Sequence, residues 1–137
     1  MTYAGDVTPS EAYAAATGPE AALLVDVRTR AEWAYVGVPV LEGAHHEVAF
    51  VEWSTFPEGR LNEAFVDEVR SAGLAPGRPV YLLCRSGVRS KAAAAALTAA
   101  GLGPAFNVLE GFEGPHDAEG HRTVAGWKVA GLPWRQG

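Results

Sequence analysis

Residues 77–103, GRPVYLLCRSGVRSKAAAAALTAAGLG, decide the fold. The run from Val80 to Leu83 is apolar and closes on Cys84, the only cysteine in the chain, which suits a buried strand. From Ser90 onward the sequence is rich in alanine, a strong helix former, and Gly101 or Gly103 supplies the stop. Between them, Arg85-Ser86-Gly87-Val88-Arg89 must turn the chain and start a helix near Ser90. A strand, a short loop and a helix make the first half of a parallel βαβ unit, and alanine side chains let the helix sit close on a sheet.

The flanking segments repeat that alternation. LNEAFVDEVRSAGL (61–74) sets Leu61, Phe65, Val69 and Ala72 at helical spacing, with Gly73 as terminator. Upstream, AALLVDVRT (21–29) is a continuous apolar run, as in strands buried on both faces of a parallel sheet. RAEWAY (30–35) predicts a short helical turn ended by Gly37 and Pro39, and a short strand is expected around Val48 to Val51. In TPSEAYAAA (8–16), Thr8 caps a helix, Pro9 fits its first position, and Glu11 reaches back to complete a capping box. AFNVLEG (105–111) reads as a further strand, followed by a polar loop from Gly111 to about Thr123. VAGWKVAGLPWRQG (124–137) predicts a closing short helix with a proline stop. The fold class expected is α/β: three layers, with a mostly parallel central sheet flanked by helices.

Composition narrows the rest. At 137 residues one domain is expected, burying roughly two thirds of its unfolded surface. No apolar stretch approaches the roughly 18 residues of a membrane span, and Asp6, Glu11 and Glu20 do not suit a secretory leader. A net charge of −5 argues against nucleic acid as a partner. A lone cysteine allows no internal disulfide, which fits the cytoplasm. Against this acidic background, Arg85, Arg89 and Lys91 concentrate positive charge around Cys84.

That concentration bears on chemistry. A parallel strand delivers Cys84 to the carboxyl edge of the sheet, where open α/β folds place their ligands. Gly87 lets the next residues curl with successive N–H groups pointing inward, at a helix N-terminus where partial positive charge collects. Both effects favour a sulfur anion, so a reactive Cys84 is expected. The plainer alternative is a small core residue that happens to end a strand.

These residues resemble the rhodanese domain, the sulfurtransferase module that carries sulfur as a cysteine persulfide. The family's loop has the form C-x-x-G-x-R, here Cys84-Arg85-Ser86-Gly87-Val88-Arg89, with Ser90 next. Its first strand ends in Asp-Val-Arg, here Asp26-Val27-Arg28, with a Glu-aromatic pair soon after, here Glu32-Trp33. NVLEGFEG (107–114) and GWKVAGLPW (126–134) resemble its later strand and closing helix, so the likeness covers roughly 8–134. Many members read Gly-His-Ile-Pro-Gly-Ala where this chain reads Gly37-Val38-Pro39-Val40-Leu41-Glu42-Gly43-Ala44. The resemblance implies that Cys84 attacks the outer sulfur of a thiosulfate-like anion. The persulfide is then passed to cyanide or to a thiol, which can belong to a protein acceptor. Arg89 and the loop amides from Arg85 to Ser90 would hold the sulfur anion, or Arg89 would stiffen the loop by reaching its carbonyls. Asp26 and Arg28 would pair behind the loop. No cofactor or metal is implied.

Two rivals share the architecture. Phosphatases and arsenate reductases of related fold also use a cysteine in an anion-binding loop, but one more residue separates it from the arginine, to encircle a tetrahedral oxyanion. Rhodanese-like interaction modules usually lack the cysteine that this chain keeps. Elsewhere, His116, Asp117, Glu119 and His121 read more simply as a solvated turn than as a metal site. His45 and His46 are expected to face opposite ways, and Trp33, Trp53, Trp127 and Trp134 to be core and edge aromatics. Oligomeric state has no signature in the sequence.

Overall fold

A computed structural model describes residues 2–19, 22–42, 46–55, 58–122 and 125–136. In chain order its elements are β1 Gly5–Val7, α1 Pro9–Thr17, β2 Leu23–Asp26, α2 Arg30–Tyr35, β3 Val38–Pro39, β4 Ala49–Phe50, α3 Phe65–Ser71, β5 Pro76–Leu83, α4 Arg89–Ala99, β6 Gly103–Val108 and β7 Trp134–Arg135. Five strands form one parallel sheet in the order β1-β6-β5-β2-β4, and β3 pairs antiparallel with β7 outside it. Strand β5 lies between β6 and β2, so Cys84 leaves the middle of the sheet at its carboxyl edge.

The alternation of side chains builds two cores. On one face Leu23, Val25, Val80, Leu82, Cys84 and Ala105 pack with Phe65 and Val69 of α3 and with Ala93, Ala94 and Leu97 of α4. On the other, Leu24, Leu83 and Val108 pack with Ala12 and Ala16 of α1, and with Phe112 and Trp127. All four residues of β2 are buried, which is why its sequence is apolar without alternation. Helices on both faces of a parallel sheet give the expected three-layer α/β arrangement.

Local rules explain most element boundaries. Thr8 Oγ1 accepts from Glu11 N while Glu11 Oε1 accepts from Thr8 N, the capping box expected for α1. Helix α3 begins at Phe65 rather than near Leu61. Asn62 accepts from Ala64 N and donates to Glu52 O, an alternative to helical hydrogen bonding that holds the preceding residues in a turn. Leu61 is accordingly exposed, a correction to its expected place on the apolar face. Among the described residues the closing helix is also absent: 126–131 forms successive turns, and Gly126 and Gly131 adopt left-handed backbone angles unsuited to a helix. Trp127 is still fully buried, with its indole N–H donating to Pro133 O. β1, β3 and β7 were not expected; two or three residues are too few to show a strand period. The Gly43-Ala44 turn and His45 lie outside the described residues. Among those described, no helix is long and apolar enough to cross a membrane.

Candidate active site

The loop between β5 and α4 curls because its carbonyls are bound from outside. Phe112 N donates to Cys84 O at 2.8 Å, and Glu113 N and Gly114 N donate to Arg85 O at 3.0 and 3.1 Å. Buried Gly87, at φ 102°, then turns its own N–H onto Cys84 Sγ at 3.0 Å. The hydroxyl of Ser90, in the first turn of α4, lies 3.2 Å from the same sulfur. No side chain caps α4, so the amides of its first turn keep their hydrogen-bonding capacity next to Cys84.

The segment that binds those carbonyls depends on Gly111, at φ 62°. A Cβ there would overlap the Cys84 and Arg85 carbonyls, which cannot retreat without unwinding the loop. Gly111→Ala is therefore expected to cost about 2–4 kcal/mol, from a left-handed angle and from the overlap. A urea melt checks it; a variant within about 0.5 kcal/mol of the parent, the range of ordinary surface changes, would contradict it.

The sulfur sits deeper than expected. Cys84 is 1% exposed and belongs to the core cluster below the loop. Among the described residues one amide, that of Gly87, is bonded to it, instead of a converging set. Cys84 thus packs as a core residue, and its sulfur accepts one hydrogen bond from the loop.

The charged residues divide sharply. Arg85 and Lys91 are exposed, Val88 is 74% exposed, and Ser86 is half-buried. Arg89 points to Glu32 and not to the loop carbonyls, of which those of Cys84 and Arg85 are already bound by the 112–114 backbone. Its guanidinium binds Glu32 with both arms, Nη1 to Oε1 at 2.7 Å and Nη2 to Oε2 at 2.9 Å. Glu32 is fixed in turn by a second capping box, with Thr29, at the start of α2. In the sequence Glu32 stood out only as half of the Glu-aromatic pair; the signal that could have placed it was Thr29-x-x-Glu32, the same pattern read correctly at Thr8-x-x-Glu11. A cleft of about 430 Å³ opens beside the loop, lined among others by Thr29, Glu32, Tyr35, Thr55, Arg85 and Arg89.

Burial pushes the Glu32 carboxyl up, but the hydrogen bonds and charge of Arg89, with the Thr29 contacts, outweigh it and hold it below the usual carboxylate range. A lowered folded-state value means that Glu32 contributes stability above its unfolded value and loses it as pH falls through the folded one. Glu32→Gln is expected to cost about 1–2 kcal/mol at neutral pH and to leave stability less sensitive to acid below the unfolded carboxylate range. Unfolding curves across that range check it; an equal loss at every pH would contradict the ion pair.

Behind the loop, Asp26 and Arg28 form the expected pair and are fully buried. Their contacts give no access to a donor, so their role is to brace β2 at the end that flanks Cys84.

The remaining candidates fall away from the site. Asp117 Oδ1 accepts from the amides of Glu119 and His121, so the acidic and histidine-rich stretch closes a turn on itself. Among the described residues no three His, Cys, Asp or Glu side chains converge on a metal position. His46 is half-buried, with Nε2 3.1 Å from Ala16 O. Trp33 and Trp53 are half-buried edge aromatics against Phe50 and Phe65, and Trp134 is partly exposed.

Comparison with known proteins agrees with this geometry. The family model of the rhodanese-like domain matches residues 8–118. Uncharacterized protein RC0915 of Rickettsia conorii is 35% identical over 131 residues, covering 95% of this chain and 96% of the relative. The crystal structure of Rv0390 from M. tuberculosis is 51% identical, with a TM-score of 0.89 over 99% of this chain and 100% of that one. The polysulfide-sulfur transferase homodimer of Wolinella succinogenes shares the fold at 21% identity, with a TM-score of 0.61 over 96% of this chain and 78% of its own.

Proposed function

The chain belongs to the rhodanese-like domain family, and from that premise we propose that it is a sulfurtransferase that carries sulfane sulfur on Cys84. The observation that carries this reading is a single free cysteine at the sheet edge, with the Gly87 amide on its sulfur and an uncapped helix N-terminus beside it. Those donors lower the energy of a sulfur anion, whether thiolate or persulfide.

The Cys84 thiolate attacks the outer sulfur of thiosulfate. An Sγ–S bond forms, the S–S bond of the donor breaks, and sulfite leaves with the electron pair. Cyanide, or a thiolate from a small molecule or a protein, then attacks the terminal sulfur and the Cys84 thiolate leaves. Exposed Arg85 and Lys91 would draw the anionic donor toward the loop. We assign Arg89 a positioning role instead, since Glu32 already neutralises it and holds it against α2. A lone cysteine that must stay reduced between cycles suits the cytoplasm.

Access to the sulfur favours this chemistry over phosphoryl transfer. A nearly enclosed Sγ suits a slim terminal sulfur atom better than a tetrahedral phosphorus with three oxygens, and the loop is one residue shorter than the phosphatase type. The same protein is expected to form thiocyanate from thiosulfate and cyanide, and to leave p-nitrophenyl phosphate and arsenate unchanged. Turnover of the phosphate ester or arsenate without thiocyanate formation would overturn the proposal.

A further inference from the structure

A chain of hydrogen bonds leads from Cys84 across the sheet to the surface. Cys84 Sγ lies 3.2 Å from Ser90 Oγ, Ser90 Oγ donates to Asn107 Oδ1, and Asn107 Nδ2 donates to Asp6 Oδ1 at 3.0 Å. Tyr3 Oη donates to the same carboxylate oxygen at 2.9 Å. Ser90 and Asn107 are fully buried, while Asp6 stands on β1, directly across from Asn107 on β6, and is exposed.

The direction of each hydrogen bond follows from the far end. An ionised carboxylate only accepts, so Asn107 must turn its NH₂ toward Asp6 and its carbonyl toward Ser90. That carbonyl also only accepts, so the one Ser90 proton is committed to it. Ser90 Oγ then has only lone pairs to offer the cysteine, which suits an S–H donor. A thiolate would need the Ser90 proton for itself, leaving the buried Asn107 carbonyl without a donor, at the expense of a hydrogen bond. Hydrogen bonds from Asn107 and Tyr3 hold the Asp6 carboxyl below its usual range, so it is ionised throughout the neutral range.

We propose that Asp6, through Asn107, is a positioning residue that points the Ser90 proton away from Cys84 and so holds the resting cysteine in its thiol form. The other charges around the two ends are Arg89, whose charge acts on Cys84 and Asp26, and Lys91, whose charge acts on Asp6. Arg28 already closes on Asp26, Arg89 closes on Glu32, and Arg85 is exposed. None of them fixes the direction of the Ser90 proton. The chain therefore opposes the loop: Gly87 favours the anion, and Asp6 restrains it until Ser90 is redirected.

Asp6→Asn tests this. An amide at position 6 can donate to Asn107, letting Asn107 turn over, donate to Ser90 Oγ, and free the Ser90 proton for sulfur. The inference rests on Cys84 being the reacting group, but iodoacetamide alkylation reads its thiolate whether or not thiosulfate is a substrate, so the two proposals fail separately. Alkylation of Asp6→Asn near pH 7 is expected to be about three- to tenfold faster than in the parent, as one redirected hydrogen bond implies, with the pH midpoint of the rate moved lower. In a Ser90→Ala background the same substitution should change the rate by less than about twofold, because an exposed charge acting at a distance is screened. No acceleration in Asp6→Asn, or the same acceleration with and without the Ser90 hydroxyl, would overturn the assignment.

Discussion

Cys84→Ser is expected to reduce thiocyanate formation by roughly three orders of magnitude or more, because deleting a covalent nucleophile removes the reaction path and not merely a contact. The substitution isolates chemistry from folding. A serine oxygen can accept from Gly87 N–H and bond Ser90, the two groups now on Sγ. Serine is close to cysteine in size and finds both hydrogen-bond partners in place, so the melting midpoint should stay close to that of the parent. Steady-state rates alongside thermal melts check both halves. Retention of activity within tenfold in a folded variant would show that sulfur passes through some other group.

The second large effect concerns stability. Asp26→Ala removes the partner of a guanidinium that has no contact with solvent. Arg28 Nε donates to both Asp26 oxygens at 2.9 and 3.1 Å, Nη2 donates to Oδ2 at 2.6 Å and to Gly37 O at 2.8 Å, and the Phe112 ring lies 4.3 Å beneath the guanidinium carbon. Without Asp26 that charge stays buried and uncompensated, at about 3–5 kcal/mol. Such a loss is a large share of the 5–15 kcal/mol typical of a whole domain, so the variant is expected to unfold near room temperature or well below the parent in urea. Replacing both partners, Asp26→Leu with Arg28→Met, should cost less than the single change, since no lone charge remains. A single variant as stable as the parent would mean that water reaches Arg28.

Much of this architecture was legible because it rests on local signals. The apolar runs ending at Asp26 and Cys84, the Thr8 capping box and the Gly87 turn each depend on residues within a few positions of one another. The cysteine loop was legible for the same reason: strand, glycine and helix start are adjacent in sequence. Features that depend on distant partners were not. Arg89 meets Glu32 from 57 positions away, and Asp6 meets Asn107 from 101. No spacing rule connects such pairs; only the order β1-β6-β5-β2 places them side by side. The bracing of the cysteine loop was hidden likewise, because the backbone that binds its carbonyls, Phe112 to Gly114, returns after a whole helix and strand. Misreadings at Leu61 and at the closing segment have a different cause. The helical spacing at Leu61 was overridden by the side-chain hydrogen bonds of Asn62, and the expected closing helix by the left-handed glycines at 126 and 131.

Whether Cys84 carries the transferred sulfur is settled most directly by intact mass measured after exposure to thiosulfate. The native protein should gain the mass of one sulfur atom and lose it again on addition of cyanide, while Cys84→Ser gains nothing. A gain in both proteins, or in neither, would contradict the account.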